Sequence, residues 1–221
     1  MSDLKFFEYS TTKNPKYLVV LLHGYGSNGD NLLGLSHEFS HILPNAHYVS
    51  PNAVFPWEGG FPDAYQWFSI SNWNSHHNLR ETAKEVKHAN KMLNNFILQQ
   101  LKRFNLQPTD LFLVGFSQGA MMSMYQGLAL IDKPAGIISY SGKLILPEHL
   151  GDKIIAKPKI CLVHGKQDSV LPFSNFLEAE KMLQENEIPF ESHAVEHLDH
   201  TIDIHGVRAG VNFIKKIIET K

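Results

Sequence analysis

Leu111-Phe112-Leu113-Val114-Gly115-Phe116-Ser117-Gln118-Gly119-Ala120 decides the fold. Four apolar residues run unbroken into Gly115, and beyond Ser117 apolar residues recur at helical steps to Leu130. The run is too short for a helix and too uniformly apolar for a strand with one wet face, so it predicts a strand buried on both sides. The same pattern recurs at Tyr17 to Leu22 before His23-Gly24, at Gly136 to Tyr140 before Ser141-Gly142, and at 160–163 before His164-Gly165. Phe190 to Val195 is more polar and comes late, as an edge strand would. Helical periods lie between these runs, over 78–104, 117–130, 173–187 and 204–218. Strands alternating with helices imply a mostly parallel sheet covered on both faces, with chemistry at the carboxyl ends of the strands. No repeat or Pro/Gly/Ser-rich linker divides the chain, so 1–221 reads as one domain.

Gly115-Phe116-Ser117-Gln118-Gly119 is G-x-S-x-G between strand and helix. A serine on so sharp a turn has neighbours, two residues to either side, in crowded positions that only small side chains fit. Its hydroxyl is presented above the sheet, and the Gln118 N–H at the helix start points where an oxyanion would form. The alternative reading, a serine that merely caps a helix, is less favoured because strand and helix flank it so closely.

A nucleophilic serine needs a base and an orienter on loops after later strands. Asp168 follows the strand over 160–163 directly, whereas Asp132 and Asp152 precede strands. His193, His197, His200 and His205 are the late histidines. His193 lies inside a strand and His205 at a helix start; His200, between the two, is best placed, with His197 its rival and Asp199 beside it. His23-Gly24-Tyr25-Gly26 follows the first strong strand and suits a second oxyanion donor, the Tyr25 N–H. The same loop, Gly24 to Gly29, spells G-x-G-x-x-G, the dinucleotide fingerprint, yet no acidic residue follows about 20 positions on to hold a ribose.

Composition removes several classes. In 221 residues, 20 Lys and Arg oppose 22 Asp and Glu, with no run of like charge to grip a phosphate backbone, so nucleic acid is not an expected partner. The single cysteine, Cys161, excludes an internal disulfide. With no signal peptide and no stretch of 18 apolar residues, it gives a cytoplasmic reading. Thirteen histidines include the pairs His76-His77 and His193 with His197, but none stands at metal-ligand spacing; no metal and no cofactor is expected. Residues 55–73 hold seven aromatics, including all three tryptophans, with no single period. Such an excursion is a functional loop or lid, or a satellite core.

His23-Gly-Tyr-Gly, Gly115-Phe-Ser-Gln-Gly, His164-Gly-Lys-Gln-Asp-Ser-Val-Leu-Pro172 and the late His200 together resemble the phospholipase/carboxylesterase family of α/β-hydrolases, which includes acyl-protein thioesterases. The resemblance runs from about Tyr17 to Ile217. It implies an α/β-hydrolase fold without a large cap domain, Ser117 as nucleophile, His200 as base, Asp168 as orienter, and Tyr25 and Gln118 as oxyanion-hole amides. It places Tyr65, Trp67, Phe68 and Leu171 beside the acyl chain. Ala120 stands where the family usually has a second Gly, and Tyr65-Gln66-Trp67-Phe68-Ser69 replaces its Met-Arg-x-Trp-Tyr-Asp. The expected activity is hydrolysis of acyl esters, lysophospholipids or acyl thioesters through an acyl-enzyme, failing as the base takes a proton. The partners this reading admits are the acyl substrate, a membrane surface met through 55–73, and a second copy of the chain. A non-catalytic hydrolase-like binding protein, and less so a dinucleotide-dependent oxidoreductase using Gly24 to Gly29, are the competing functions.

Overall fold

Every apolar run becomes a strand of one sheet in the computed structural model, which describes residues 4–70, 79–145 and 153–220. The strands are β1 (Phe6–Ser10), β2 (Tyr17–Leu22), β3 (Ala46–Pro51), β4 (Phe55–Pro56), β5 (Tyr65–Gln66), β6 (Leu111–Phe116), β7 (Gly136–Tyr140), β8 (Ile160–Gly165) and β9 (Phe190–Val195). The helices are α1 (Gly29–Leu33), α2 (Leu35–Ser40), α3 (Leu79–Phe104), α4 (Gln118–Ala129), α5 (Ser174–Glu185) and α6 (Ile204–Ile218). The main sheet runs β1-β3-β2-β6-β7-β8-β9, and β4 with β5 forms a separate small hairpin. Within the main sheet only β1 is antiparallel to its neighbour, pairing Phe6 with Pro51 and Ser10 with His47. β9 takes the far edge, as its polar residues require.

Two helical layers explain why the inner strands are apolar throughout. Leu111 and Leu113 of β6 pack with α3, α4 and α5, while Phe112 and Val114 pack with α1, α2 and α6. Alternation survives in the strand, but both of its faces meet a core. In α3 the positions Val86, Ala89, Leu93, Phe96, Ile97 and Leu101 are buried, so the stripe read from three- and four-residue steps is the seam of that layer.

The architecture adds elements that periodicity did not reveal. β1 is a five-residue edge of mixed polarity, α1 and α2 are little more than a turn each, and the β4–β5 hairpin lies inside the aromatic segment. Of that segment, 71–73, including Trp73, lie outside the described residues, as do His76-His77 and the expected helix start at 78. Among the described residues, no helix is long and apolar enough to cross a membrane.

Candidate active site

Because β2, β6, β8 and β9 run parallel, the loops that leave them converge on one edge of the sheet. Ser117 follows β6 with φ 53° and ψ −117°, a left-handed conformation that costs a non-glycine residue energy and turns its hydroxyl out of the sheet. Its N–H donates to Tyr140 O at 2.9 Å, tying the turn to β7. The flanking glycines have a steric cause. A Cβ on Gly119 would lie 1.9 Å from Leu22 O, and one on Gly115 would lie 2.3 Å from Gly119 O. Ala120 is accommodated because Gly142 faces it: a Cβ there would come within 2.7 Å of the Ala120 methyl.

His200, on the loop after β9, places Nε2 2.9 Å from Ser117 Oγ and Nδ1 2.7 Å from Asp168 Oδ2. With Nδ1–H donating to the carboxylate, Nε2 is free to accept the serine proton. The Asp168 carboxyl is fully buried; its Oδ1 accepts from the N–H groups of Val170 (2.9 Å) and Leu171 (2.7 Å). Those bonds compensate a buried charge and aim Oδ2 at the imidazole. A second buried histidine, His164, stands 3.3 Å from the same Oδ2 and donates from Nε2 to Leu171 O at 2.8 Å. Burial, reinforced by the nearby His200, holds His164 below the ordinary histidine range, so it stays neutral beside the carboxylate. The exposed Asp199 joins the loops that carry Asp168 and His200, since its Oδ1 accepts from Ser169 N–H (2.8 Å), Ser169 O–H (2.8 Å) and His200 N–H (2.7 Å).

The other late histidines go elsewhere. His197 is 3.1 Å from Gln167 Nε2, and His205 is exposed on α6, whose N-cap is Asp203. His193 on β9 lies with Glu191 and Cys161 in a group whose ligand atoms are within 4.8 Å of one another. There Glu191 is already paired with Lys216 at 2.6 Å, and burial pushes the Cys161 thiol well above its ordinary value.

The turn after β2 is wired through His23. Its ring is buried, with Nδ1–H donating to Gly24 O (2.7 Å) and Nε2 accepting from Ala53 N–H (2.9 Å). Burial lowers its pKa to about 4, keeping the ring neutral. Gly26 N–H donates to Tyr65 O at 2.9 Å, so the turn carrying Tyr25 is held from both sides. Gln118 opens α4, where first-turn N–H groups have no intrahelical acceptor.

The aromatic segment sits differently from its expected place beside the acyl chain. Trp67 and Phe68 are fully buried and belong to the core beneath the site. The Trp67 indole donates to His23 O (2.9 Å), Trp67 N–H to Gln118 Oε1 (2.8 Å), and Gln118 Nε2 to Phe68 O (2.8 Å). The Gln118 amide thus latches this backbone to the turn that bears Ser117. Tyr65 serves the hairpin and, through its carbonyl, the Tyr25 turn. The exposed tip carries Phe61, at 70% accessibility, stacked on Trp57. Tyr25 O–H donates to Glu58 of the same tip, and burial with that carboxylate pushes the phenol up to about 12.

A cavity of about 500 Å³ contains Ser117 and His200 in its wall. Leu32, Ile70, Phe116, Met121, Val170 and Leu171 supply its apolar surface. Of the four residues expected beside the acyl chain, Leu171 lines it, whereas Tyr65, Trp67 and Phe68 support it from behind. Sequence reasoning did not single out Met121, Ile70 or Val170, which reach the cavity from separate elements. Gly24, Tyr25 and Ser27 of the G-x-G-x-x-G stretch line this same cavity, and a Cβ on Gly29 would sit 2.2 Å from Ser50 O, so that glycine serves packing against β3. A larger open depression of about 650 Å³ between β9 and α6, lined by His193, Glu196, His205 and Arg208, shares no residue with the Ser117 cavity.

The family model described as phospholipase/carboxylesterase matches residues 7–218. The acyl-protein thioesterase 1 of Candida albicans is 29% identical, over 92% of this chain and 93% of its own. Esterase YpfH of Escherichia coli is 25% identical, over 96% of this chain and 88% of its own. Among solved structures, that of esterase PE8 superposes with a TM-score of 0.89 at 33% identity, covering 98% of this chain and all (100%) of the other.

Proposed function

The chain belongs to the phospholipase/carboxylesterase family of α/β-hydrolases, and within it we propose that this hydrolase cleaves carboxylic esters or thioesters of acyl chains through Ser117, His200 and Asp168. The observation that carries the reading is the continuous hydrogen-bonded line Ser117 Oγ, His200 Nε2 and Nδ1, Asp168 Oδ2, opening into a largely apolar cavity. Neutral His200 takes the Ser117 proton as Oγ attacks the acyl carbonyl. The Tyr25 and Gln118 amides stabilise the negative oxygen of the tetrahedral intermediate. Its collapse breaks the bond to the leaving group, and His200 protonates the departing alcohol or thiol. Water, deprotonated by His200, then attacks the acyl-Ser117 ester and releases the acid, returning the proton to Ser117. Asp168 holds the imidazole tautomer throughout. The acyl chain lies against Leu171, Met121 and Val170.

The whole chain, 1–221, acts as one catalytic unit in this reading. A buried cysteine without a partner suits a reducing, cytoplasmic setting. Where the enzyme meets a lipid surface, it does so through the exposed Phe61 of the hairpin tip, because Trp67 cannot reach solvent.

The test is hydrolysis of p-nitrophenyl esters from acetyl to palmitoyl by wild type and Ser117→Ala, with a detergent control. Ser117→Ala should lose on the order of 10⁴-fold in kcat. Equal turnover by both proteins would refute the assignment, and no serine-dependent turnover on any chain length would leave a binding protein built on a hydrolase fold.

A further inference from the structure

Asp168 and His200 come from different loops, one after β8 and one after β9, and their 2.7 Å contact depends on how those loops are held together. Backbone pairing does this only part of the way. Beyond the two strands the ladder continues through Lys166 N–H to Val195 O (2.9 Å) and Gln167 N–H to Leu198 O (3.0 Å). Gly165 lets the chains close up, since a Cβ there would lie 2.2 Å from Leu198 O. The next backbone groups turn to local partners: Asp168 N–H donates to Gly165 O (3.3 Å), and Asp199 O accepts from Thr201 N–H (2.8 Å).

Where the ladder stops, the Asp199 side chain takes over. Its Oδ1 accepts from Ser169 N–H and Ser169 O–H across the gap, each at 2.8 Å, and from His200 N–H on its own loop at 2.7 Å. The first two bonds grip the residue that follows Asp168, and the third fixes the backbone of the base. Bonds to a carboxylate are charge-assisted and short. Together, the Ser169 N–H foremost, they hold the Asp199 carboxyl below the usual carboxylate range. Two other side-chain links join these loops, Lys166 with Glu196 and Gln167 with His197, but both start from residues whose backbone is already paired. Asp199 does not line the Ser117 cavity. We propose that Asp199 is a positioning residue: by accepting from Ser169 and His200 on one oxygen, it sets the geometry in which the Asp168 carboxylate meets the His200 imidazole. This rests on the hydrolase reading above and deepens it. His200 passes a proton in acylation and again in deacylation, so a misaligned imidazole slows both steps and leaves KM in place.

The test is hydrolysis of p-nitrophenyl acetate by wild type, Ser117→Ala, Asp199→Ala, Asp199→Asn, Ser169→Ala and the Ser169→Ala/Asp199→Ala double variant, with urea midpoints to show that each is folded. Asp199→Ala should lose about 10- to 100-fold in kcat, as for a misplacement of about 1 Å, with KM within about twofold. Asp199→Asn keeps a carbonyl oxygen in that place and should recover to within about threefold of wild type. Ser169→Ala removes one of the two bonds across the gap and should lose about three- to tenfold in kcat. The double variant should be no slower than Asp199→Ala, because both side chains act through one contact. Glu196→Ala, which cuts an exposed link between the same loops, is the control and should stay within about twofold. A smaller loss in Asp199→Ala, equal losses in Asp199→Ala and Asp199→Asn, a loss carried by KM, or an equal loss in Glu196→Ala would each overturn the proposal. If Asp199→Ala does not fold, unchanged kcat in Ser169→Ala overturns it instead. Equal turnover by wild type and Ser117→Ala would overturn the hydrolase reading itself, and this proposal with it.

Discussion

Acid should destabilise this protein through His23 before it reaches the carboxylates. The His23 ring is buried, and burial lowers its pKa from 6.5 to about 4. In the unfolded chain the ring is in water and titrates near 6.5, so between pH ~6.5 and ~4 the unfolded state binds a proton that the folded state refuses. The stabilisation is complete above pH ~6.5 and declines as pH falls, by about 1.4 kcal/mol for each tenfold rise in proton concentration. Over the whole window the loss is about 3 kcal/mol, a large part of the roughly 5–15 kcal/mol that holds a domain together. Protonation also turns Nε2 into a donor facing the Ala53 N–H it now accepts from at 2.9 Å, so the turn bearing Tyr25 loses an anchor. Urea denaturation followed by tryptophan fluorescence at pH 7.5, 6.5, 5.5 and 4.5 measures the slope. His23→Gln is the control, because His164, also depressed by burial, adds a slope of the same sign in both proteins. The variant should be less stable at pH 7.5 and flatter toward acid. Parallel curves for the two proteins below pH 6.5 would refute the reasoning.

Gln118→Met keeps side-chain bulk but removes the bonds that the Gln118 amide makes to Trp67 N–H and Phe68 O, both in a buried segment. The buried Trp67 N–H then lacks its acceptor, a cost of about 1–3 kcal/mol, read as a fall in urea midpoint with unchanged m-value. A loss below about 0.5 kcal/mol, at the level of an ordinary surface change, would show that the amide does not latch the segment. Phe61→Ser should reduce co-sedimentation with anionic liposomes while p-nitrophenyl acetate turnover is unchanged; wild type that fails to sediment would remove the lipid contact.

How much of this was legible in the chain depends on how local each cause is. The strand-turn-helix around Ser117 is written in ten consecutive residues: an apolar run, two glycines where a Cβ would strike Leu22 O or Gly119 O, and a helical period. Asp168 stands directly after β8, so strand order alone placed it at the carboxyl edge. The choice of His200 over His193, His197 and His205 was weighed on position, but the distances come from the β8–β9 register and from Asp199 Oδ1, which clamps Ser169 and His200 together. β1 was not legible, because five residues of mixed polarity pair with β3 only once β3 is in place.

The order of elements, the two-sided burial of the strands, the position of the serine turn and the chemistry of its neighbours follow from the sequence, since backbone sterics and hydrophobic period act over a few residues. What the aromatic segment does was decided only in three dimensions. A dense aromatic run reads the same whether it lines a pocket or supports one. Here the outcome depends on Gln118 and His23, 51 and 44 residues from Trp67, whose side-chain and backbone oxygens accept from its peptide and indole N–H groups. Buried polar groups must find partners wherever the fold brings them. That demand placed Trp67 and Phe68 beneath the site and left the cavity to Leu171, Met121 and Lys143.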